Sequence, residues 1–88
     1  MQTATLGGKQ GKGLAVMIQQ GGMTTVTGTF EASSVGDAMS LANDYSYEYE
    51  GVMEQNGIKS QIKATVVVKK TQGSTVHFTA TGRPVTVE

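Results

Sequence analysis

Hydrophobic and polar residues follow two different periods along this chain, and the longest pattern occupies residues 34–57. At about 100° per residue, most of its apolar side chains fall on one face of a helix and polar side chains fall opposite. Ser34 is placed to cap the N-terminus with Asp37 three residues later, and Asn56-Gly57 suits a left-handed C-terminal stop. The pattern therefore predicts one long amphipathic helix. Its buried stripe comprises Val35, Ala38, Met39, Ala42, Tyr45, Tyr49, Val52 and Met53.

A strand competes with the second half of this helix. Residues 45–50 alternate with a period of two, tyrosine favours strands, and Asn56-Gly57 is also a hairpin signal. Gly36 and Gly51 each weaken a helix by about 1 kcal/mol relative to alanine. On this alternative, the helix ends near Asn43 and a strand begins at residue 45. We predict the continuous helix because its period covers the whole stretch.

Period-two alternation predicts a hairpin on the N-terminal side of the helix. Its strands are residues 14–20 and 23–31, joined by the two-residue turn Gly21-Gly22. Gly28 falls on the inward side, where a glycine lets another side chain approach closely. The residues predicted to face inward are Leu14, Val16, Ile18, Val26 and Phe30.

A second hairpin is predicted on the C-terminal side of the helix. Its strands are residues 58–70 and 75–81, with the turn at residues 71–74. Gly82-Arg83-Pro84 interrupts the second strand, so residues 85–88 are predicted to form an edge extension or a short separate strand. The residues predicted to face inward are Ile58, Ile62, Ala64, Val66, Val68, Val76, Phe78 and Ala80.

The element order ββαββ is that of a β-grasp fold. We therefore predict an α+β domain over residues 14–88, in which one long amphipathic helix packs on one face of a four-stranded sheet. Residues 1–13 are predicted to be a flexible glycine- and lysine-containing arm, with residues 3–6 as a candidate edge strand. The segment 28–31 and the predicted helix after it resemble, over about fifteen residues, the same junction in bacterial immunoglobulin-binding domains of the protein L type, and this resemblance implies the fold alone.

Composition and charge exclude several functions. The 88 residues contain no cysteine, which excludes a disulfide framework, a thiolate nucleophile and cysteine-ligated zinc. Seven basic residues balance seven acidic ones, so no bulk attraction to nucleic acid or to an acidic membrane is expected. The first 13 residues lack the apolar run of a signal peptide, and no stretch is apolar over the length that crosses a bilayer. We therefore expect a cytoplasmic protein.

Candidate catalytic residues are few. His77 is the only histidine, no carboxylate is placed to orient it, and a metal site would need carboxylates from the opposite face of the predicted domain. The glycine-lysine run at residues 7–13 departs from the spacing of a phosphate-binding P-loop. We therefore expect no enzyme activity, no catalytic residues, no cofactor and no metal.

The predicted helix separates charge, and this separation leads to the first binding hypothesis. Five of the acidic residues lie in the helical stretch and the basic residues lie outside it, so one side of the domain is predicted to be acidic. Such a face beside an exposed tyrosine, together with an apolar patch of Ala15, Met17 and Met23 near the first turn, favours a protein-interaction or assembly module. The partner is another protein or a second copy in a homo-oligomer, and the small size and threonine-rich surfaces suggest a phage or mobile-element origin. The predicted protein-binding residues are Asp44, Tyr47, Glu48, Met17 and Met23.

Nucleic-acid binding is the alternative hypothesis. It uses the basic outer face of the second hairpin, where cationic side chains alternate with threonines and can contact phosphates. This face has no outward aromatic residue on which a base would stack, which weakens the hypothesis. Its predicted residues are Lys59, Lys63, Lys69, His77 and Arg83.

Overall fold

The computed structural model describes residues 2–81 and 85–86, which form seven strands and one short helix. This part of the chain is nearly all antiparallel sheet, so the predicted α+β β-grasp fold, with four strands and a long helix, is wrong. The elements are β1 (Gln2–Leu6), β2 (Lys9–Gln20), β3 (Met23–Ala32), α1 (Val35–Met39), β4 (Ser46–Gln55), β5 (Ile58–Gln72), β6 (Thr75–Thr81) and β7 (Val85–Thr86).

The helix that the sequence predicts begins where expected but lasts only five residues. Ser34 is its N-cap, and the Ser34 hydroxyl accepts a hydrogen bond of 3.1 Å from the backbone N–H of Asp37. Ala38 is the buried residue of this turn, whereas Val35 and Met39 are exposed. A helix this short stabilises itself little. The Ser34 cap and the buried side chain of Ala38 therefore hold it in place.

The second half of the predicted helix is strand β4. It pairs with β5 at ten consecutive register positions, from Ser46↔Val67 to Gln55↔Ile58. Asn56-Gly57 forms the tight turn between the two strands. Both residues have positive φ, of 53° and 80°, as the two-residue turns of hairpins favour. The strand alternative for residues 45–50 is therefore the one that forms, because pairing with β5 satisfies the backbone groups that a helix would otherwise satisfy internally.

The seven strands form one sheet that closes on itself. Adjacent hairpins pair β1 with β2, β2 with β3, β4 with β5, and β5 with β6. β3 pairs with β6. β4 pairs with β1 in the antiparallel direction and with β2 in the parallel direction, and these pairings close the sheet. β7 continues beyond β6 along β5, through Ile62↔Thr86. Closure encloses one apolar interior and pairs strands that an open sheet would leave at its edges.

The residues predicted as a flexible arm are part of this sheet. Gln2–Leu6 pairs with residues 9–13 at five register positions around the turn Gly7-Gly8. Ala4 and Leu6 are buried in the core, so β1 contributes to the interior as well as to the hydrogen-bonded ladder. A strand at residues 3–6 is confirmed, but its predicted edge position is wrong, because β1 pairs with both β2 and β4.

Other local predictions are confirmed. Both predicted hairpins have the expected strands, and Gly21-Gly22 forms the first turn. The inward faces of β3, β5 and β6 are largely as the alternation predicts. Their buried residues include Val26, Phe30, Ile62, Val66, Val68, Val76, Phe78 and Ala80. The predicted interruption Gly82-Arg83-Pro84 lies outside the described residues, and only Val85–Thr86 of the predicted extension is described.

Strand β2 faces the opposite way from the prediction. Ala15 is fully buried and Met17 packs against the core, so the alternating set Leu14, Val16 and Ile18 faces outward. The reason lies in the interior, where Tyr49 occupies the space next to β2. A Cβ added to Gly13 would lie 3.0 Å from the Tyr49 ring, so only the small residues of β2 fit against it.

Two large rings fill the centre of the closed sheet. Tyr49 and Phe78 pack with their ring centroids 4.7 Å apart, and both side chains are buried. The Tyr49 hydroxyl donates a hydrogen bond of 3.2 Å to the backbone carbonyl of Val52, which satisfies its polar atom inside the core. A Cβ on Gly28 would lie 2.6 Å from Phe78 Cζ, so Gly28 allows the close approach that the sequence predicts, with β6 rather than a helix supplying the side chain.

Replacing Gly51 with alanine should destabilise the protein by about 1–3 kcal/mol, the usual cost of overpacking a core. The added Cβ would lie 2.6 Å from the Tyr49 hydroxyl oxygen and 2.7 Å from the Cβ of Ala4. Gly36→Ala is the matched control, because its Cβ would meet only the Ser34 hydroxyl oxygen, at 3.8 Å. Urea unfolding of both variants measures the difference. Equal stability of Gly51→Ala and the native protein would contradict this account of the interior.

Burial raises the pKa of Tyr49 from its ordinary value of 10 to about 12. The folded state therefore favours the protonated phenol, and this contribution is complete below pH 10 and is lost as the pH rises towards 12. The loss amounts to about 2 kcal/mol, and urea unfolding between pH 9 and pH 12 should show it. Tyr49→Phe is the control, since it keeps the titration of the lysines and lacks that of the phenol. A parallel decline in both proteins would show that Tyr49 does not titrate as described.

Candidate protein-binding surface

The outer face of β4 and β5 mixes acidic and basic residues. The register places Glu50 opposite Lys63 and Glu54 opposite Lys59, and Lys63 Nζ lies 3.5 Å from Glu48 Oε1. The predicted separation into an acidic side and a basic side is therefore wrong. An exposed ion pair of this kind contributes at most about 1 kcal/mol to stability, so its main effect is to neutralise the local surface charge.

The predicted acidic pair does not form one surface. Asp44 lies in the loop before β4, with a φ of 68°, and its backbone N–H donates a 2.7 Å hydrogen bond to the carbonyl of Val68. Glu48 lies on the outer face of β4 beside Lys63. Without a helix between them, the two carboxylates no longer share the face that residues four apart would share on a helix.

Tyr47 points inward rather than towards a partner. Its side chain is half-buried against the core, and its hydroxyl accepts a hydrogen bond of 2.9 Å from the backbone N–H of Ala42. The bond ties the loop after α1 to strand β4. The structure therefore gives Tyr47 a role in holding this loop.

The predicted patch of Met17, Met23 and Ala15 does not form either. Ala15 is buried, Met17 packs against the core, and only Met23 remains exposed, at 66%. The inverted facing of β2 explains the change, because it turns the predicted outward residues into the interior. Met23 instead joins a different group of exposed apolar residues.

The residues predicted to bind nucleic acid are not brought together as one basic surface. Lys59 and Lys63 face glutamates across the β4–β5 ladder. Lys69 lies at a bulge in β5, and His77 pairs with Lys70 and Thr29 further along the outer face. Arg83 lies outside the described residues. The carboxylates beside Lys59 and Lys63 reduce the attraction of these two lysines for phosphate.

One end of the closed sheet exposes large apolar side chains, and we call it the hairpin end. It consists of Ile18, Met23 and Ile58, which are 50%, 66% and 69% exposed, beside the two tight turns. Gln55 Nε2 donates a 3.3 Å hydrogen bond to Gln19 Oε1, which links the two hairpins there. Gln55 faces Ile58 across the ladder, so Gln19, Gln55 and Ile58 lie at the inward side of their strands at this end, whereas Ile18 and Met23 lie at the outer side.

Sequence reasoning assigned Ile18 and Ile58 to the interior. A usable signal was present, because residues 14–18 are apolar at every position, and a strand with this pattern is commonly covered on both faces. Ile58 directly follows the turn Asn56-Gly57, where side chains extend past the end of the core. Ile18 is therefore exposed because β2 faces the opposite way, and Ile58 is exposed because it lies at the turn.

The opposite end carries α1 and a recess, and we call it the helix end. Its exposed apolar residues are Val35, Met39 and Tyr45, which are 51%, 72% and 65% exposed. The recess is shallow and widely open to solvent, with a volume of about 480 Å³. Its lining comprises Val35, Met39, Leu41, Ala42, Asn43, Thr71 and Gly73.

Hydrogen bonds hold the wall of this recess in place. The Glu31 carboxylate accepts bonds from the hydroxyls of Ser74 and Thr75, the latter at 2.6 Å, and these bonds lower the pKa of Glu31. The backbone N–H of Ala32 donates to the Ser74 carbonyl at 2.8 Å. These contacts fasten the turn that contains Gly73 to the end of β3, so the recess has one fixed side.

Comparisons with known proteins identify no relative. No protein-family model matches the chain, and no curated protein or solved structure matches it significantly. Within the described ranges, no helix has both the length and the apolar character needed to span a membrane. In the same part of the chain, no three histidine, aspartate or glutamate side chains are grouped as metal ligands would be.

Tyr47→Phe should weaken the wall of the recess, because it leaves the backbone N–H of Ala42 without its partner in a half-buried position. We expect a loss of about 1–2 kcal/mol in stability and faster hydrogen exchange of the Ala42 amide. Tyr45→Phe is the matched control, since Tyr45 is 65% exposed. Unchanged exchange at Ala42 in the Tyr47 variant would show that the hydroxyl does not hold this loop.

Proposed function

We propose that this protein is a small non-enzymatic interaction and assembly module that binds a protein partner through its hairpin end. The observation that supports this most directly is the exposure of Ile18, Met23 and Ile58 beside two linked turns. The closed sheet holds these residues at the surface, and they cannot turn inward without breaking the ladders next to them. Grouped apolar side chains on the surface of a small protein commonly mark an interaction site.

Strand β2 adds to this surface. Residues 14–18 are apolar on both faces, and only Ala15 and Met17 are taken into the core. Leu14 and Val16 lie on the outer face of the same strand as Ile18 and lead away from the hairpin end. A partner that covers the outside of β2 would complete the two-sided burial that this composition favours.

The magnitudes indicate how large the contact must be. Burying one large apolar side chain contributes about 1.5–3 kcal/mol, whereas association costs about 4–15 kcal/mol in lost translational and rotational freedom. The three side chains of the hairpin end are also partly covered already. They therefore support weak binding by themselves, and stronger binding requires contacts along β2 or several contacts in one assembly.

Nucleic-acid binding remains the second candidate. It retains Lys69 and His77 as outward basic residues, but Lys59 and Lys63 are neighbours of glutamates. Affinity for an oligonucleotide that falls steeply with salt would support this alternative instead. We propose the cytoplasm as the location of the protein, and fractionation of the source cells tests this.

A triple variant that combines Ile18→Lys, Met23→Lys and Ile58→Lys tests the hairpin end. It should reduce partner capture about tenfold or more, because it places charge in an apolar contact. The matched control is Ser46→Lys with Thr65→Lys and Thr79→Lys, which adds the same charge to the outer faces of β4, β5 and β6, away from the outer face of β2. Urea unfolding first shows that each variant is folded. Each variant is then immobilised, and the proteins that it retains from an extract of the source cells, including free copies of the chain itself, are quantified. Equal capture by the two variants would contradict the proposal.

A further inference from the structure

We infer that Asn56 is a site of spontaneous deamidation, where the folded protein reacts with water and needs no enzyme. Asn56 and Gly57 form the exposed turn between β4 and β5. The backbone nitrogen of Gly57 is placed along the chain so that its attack on the side-chain carbonyl carbon of Asn56 closes a five-membered ring. This modification does not depend on the proposed function.

The reaction balances with water as its only co-reactant. The Gly57 nitrogen forms a bond to the side-chain carbonyl carbon of Asn56, and the C–N bond of the side-chain amide breaks. The proton of the Gly57 N–H leaves with the amide nitrogen as ammonia. Water then opens the succinimide ring at one of its two carbonyl groups. Opening at one carbonyl gives aspartate, and opening at the other gives isoaspartate, whose backbone runs through the side-chain carbon.

The attacking nitrogen is accessible in this turn. Both turn residues are exposed, and a Cβ added to Gly57 would meet no atom within 4 Å. Glycine itself has no side chain to crowd the nitrogen. Among the described residues, no backbone carbonyl accepts a hydrogen bond from the Gly57 N–H. The nitrogen therefore does not have to be released from a partner before it reacts.

Ring closure requires Asn56 to rotate out of its turn conformation, in which its φ is 53°. The turn is held by the pair Gln55↔Ile58, which is the last pair of the β4–β5 ladder. Ile58 is 69% exposed, so opening this pair uncovers little buried surface. Segments with few buried contacts open locally at low free energy. Asn56 therefore reaches the reactive conformation while the rest of the sheet stays closed.

The other asparagine of the chain, Asn43, provides the contrast. The nitrogen that would attack its side chain belongs to Asp44, whose N–H donates a 2.7 Å hydrogen bond to the carbonyl of Val68. The N–H of Val68 in turn donates to the carbonyl of Tyr45 at 3.1 Å, and Val68 is fully buried. The fold therefore engages the attacking amide at Asn43 and leaves it free at Asn56.

The products change the turn in two ways. Each product places one negative charge there, on a chain whose formal net charge is zero. Isoaspartate also adds one atom to the backbone of a two-residue turn, and the register of a hairpin depends on the geometry of its turn. The pairing of Gln55 with Ile58 should then weaken. Reduced partner capture is a further consequence, and it alone rests on the proposed function, because Ile58 belongs to the hairpin end.

The test incubates the folded protein in neutral and mildly alkaline buffer and follows each asparagine by peptide mapping with mass spectrometry. We expect Asn56 to convert at least about tenfold faster than Asn43. Its rate should rise with pH, because hydroxide removes the proton from the attacking amide. In urea, Asn43 should accelerate by a larger factor than Asn56, because only at Asn43 does the fold engage the amide. Hydrogen exchange should show the same order, with the Gly57 amide faster than the Asp44 amide.

Asn56→Gly is the matched control, because it removes the reacting amide and keeps the turn. Gly21 and Gly22 form the corresponding turn of the first hairpin with φ of 59° and 79°, close to the 53° and 80° of Asn56 and Gly57. Glycine adopts such values without strain. Urea unfolding checks that the variant is folded. It should show no new charge at this turn in isoelectric focusing after incubation.

The inference is overturned by any of three results. Absence of conversion at Asn56 in the folded protein means that the turn protects its asparagine. Equal acceleration of Asn43 and Asn56 in urea means that the hydrogen bond of the Asp44 amide does not set the difference. Isoaspartate in Asn56→Gly at the native level means that the reaction lies elsewhere. Each result leaves the proposed function standing, because partner capture is measured on freshly prepared, unmodified protein.

Discussion

The packing of two aromatic rings inside a small closed sheet governs the rest of this structure. Tyr49 and Phe78 lie 4.7 Å apart between ring centroids, and the strands around them provide room only where they carry glycine or alanine. Gly13 and Gly51 lie against Tyr49, and Gly28 lies against Phe78. A glycine has no side chain to pack, and an aromatic ring that covers it supplies the missing apolar contact. Such contacts also favour one register of the paired strands.

This constraint also determines which residues reach the surface. Because β2 presents Gly13 to Tyr49 and turns Ala15 into the core, its branched residues Val16 and Ile18 face outward. Residues next to the turns lie beyond the enclosed interior of the sheet. Apolar side chains there stay exposed, and they form the hairpin end. The surface proposed for binding is in this sense a consequence of how the interior is filled.

Electrostatics has a smaller part than the distribution of charges along the chain indicates. The glutamates of β4 and the lysines of β5 are separate in the sequence and adjacent in the sheet, with Lys63 Nζ 3.5 Å from Glu48 Oε1. Mixed charges of this kind favour a soluble outer wall and give no strong field for steering a charged partner. The binding that we propose for the hairpin end therefore rests on apolar contact.

Local sequence was sufficient to determine the strands of both predicted hairpins, the turn at Gly21-Gly22 and the inward faces of β3 and β6, because alternation and turn residues act within a few positions of one another. It did not decide between helix and strand for residues 45–53, since Tyr49 and Met53 fall on the buried side in either structure. Only pairing with β5, with β1 and with the distant β2 decided it, and those partners supply the hydrogen bonds of β4. The tertiary structure likewise decided which face of β2 is buried. Residues 14–18 are apolar at every position, and the Tyr49 ring beside Gly13 leaves room only for the face with small residues.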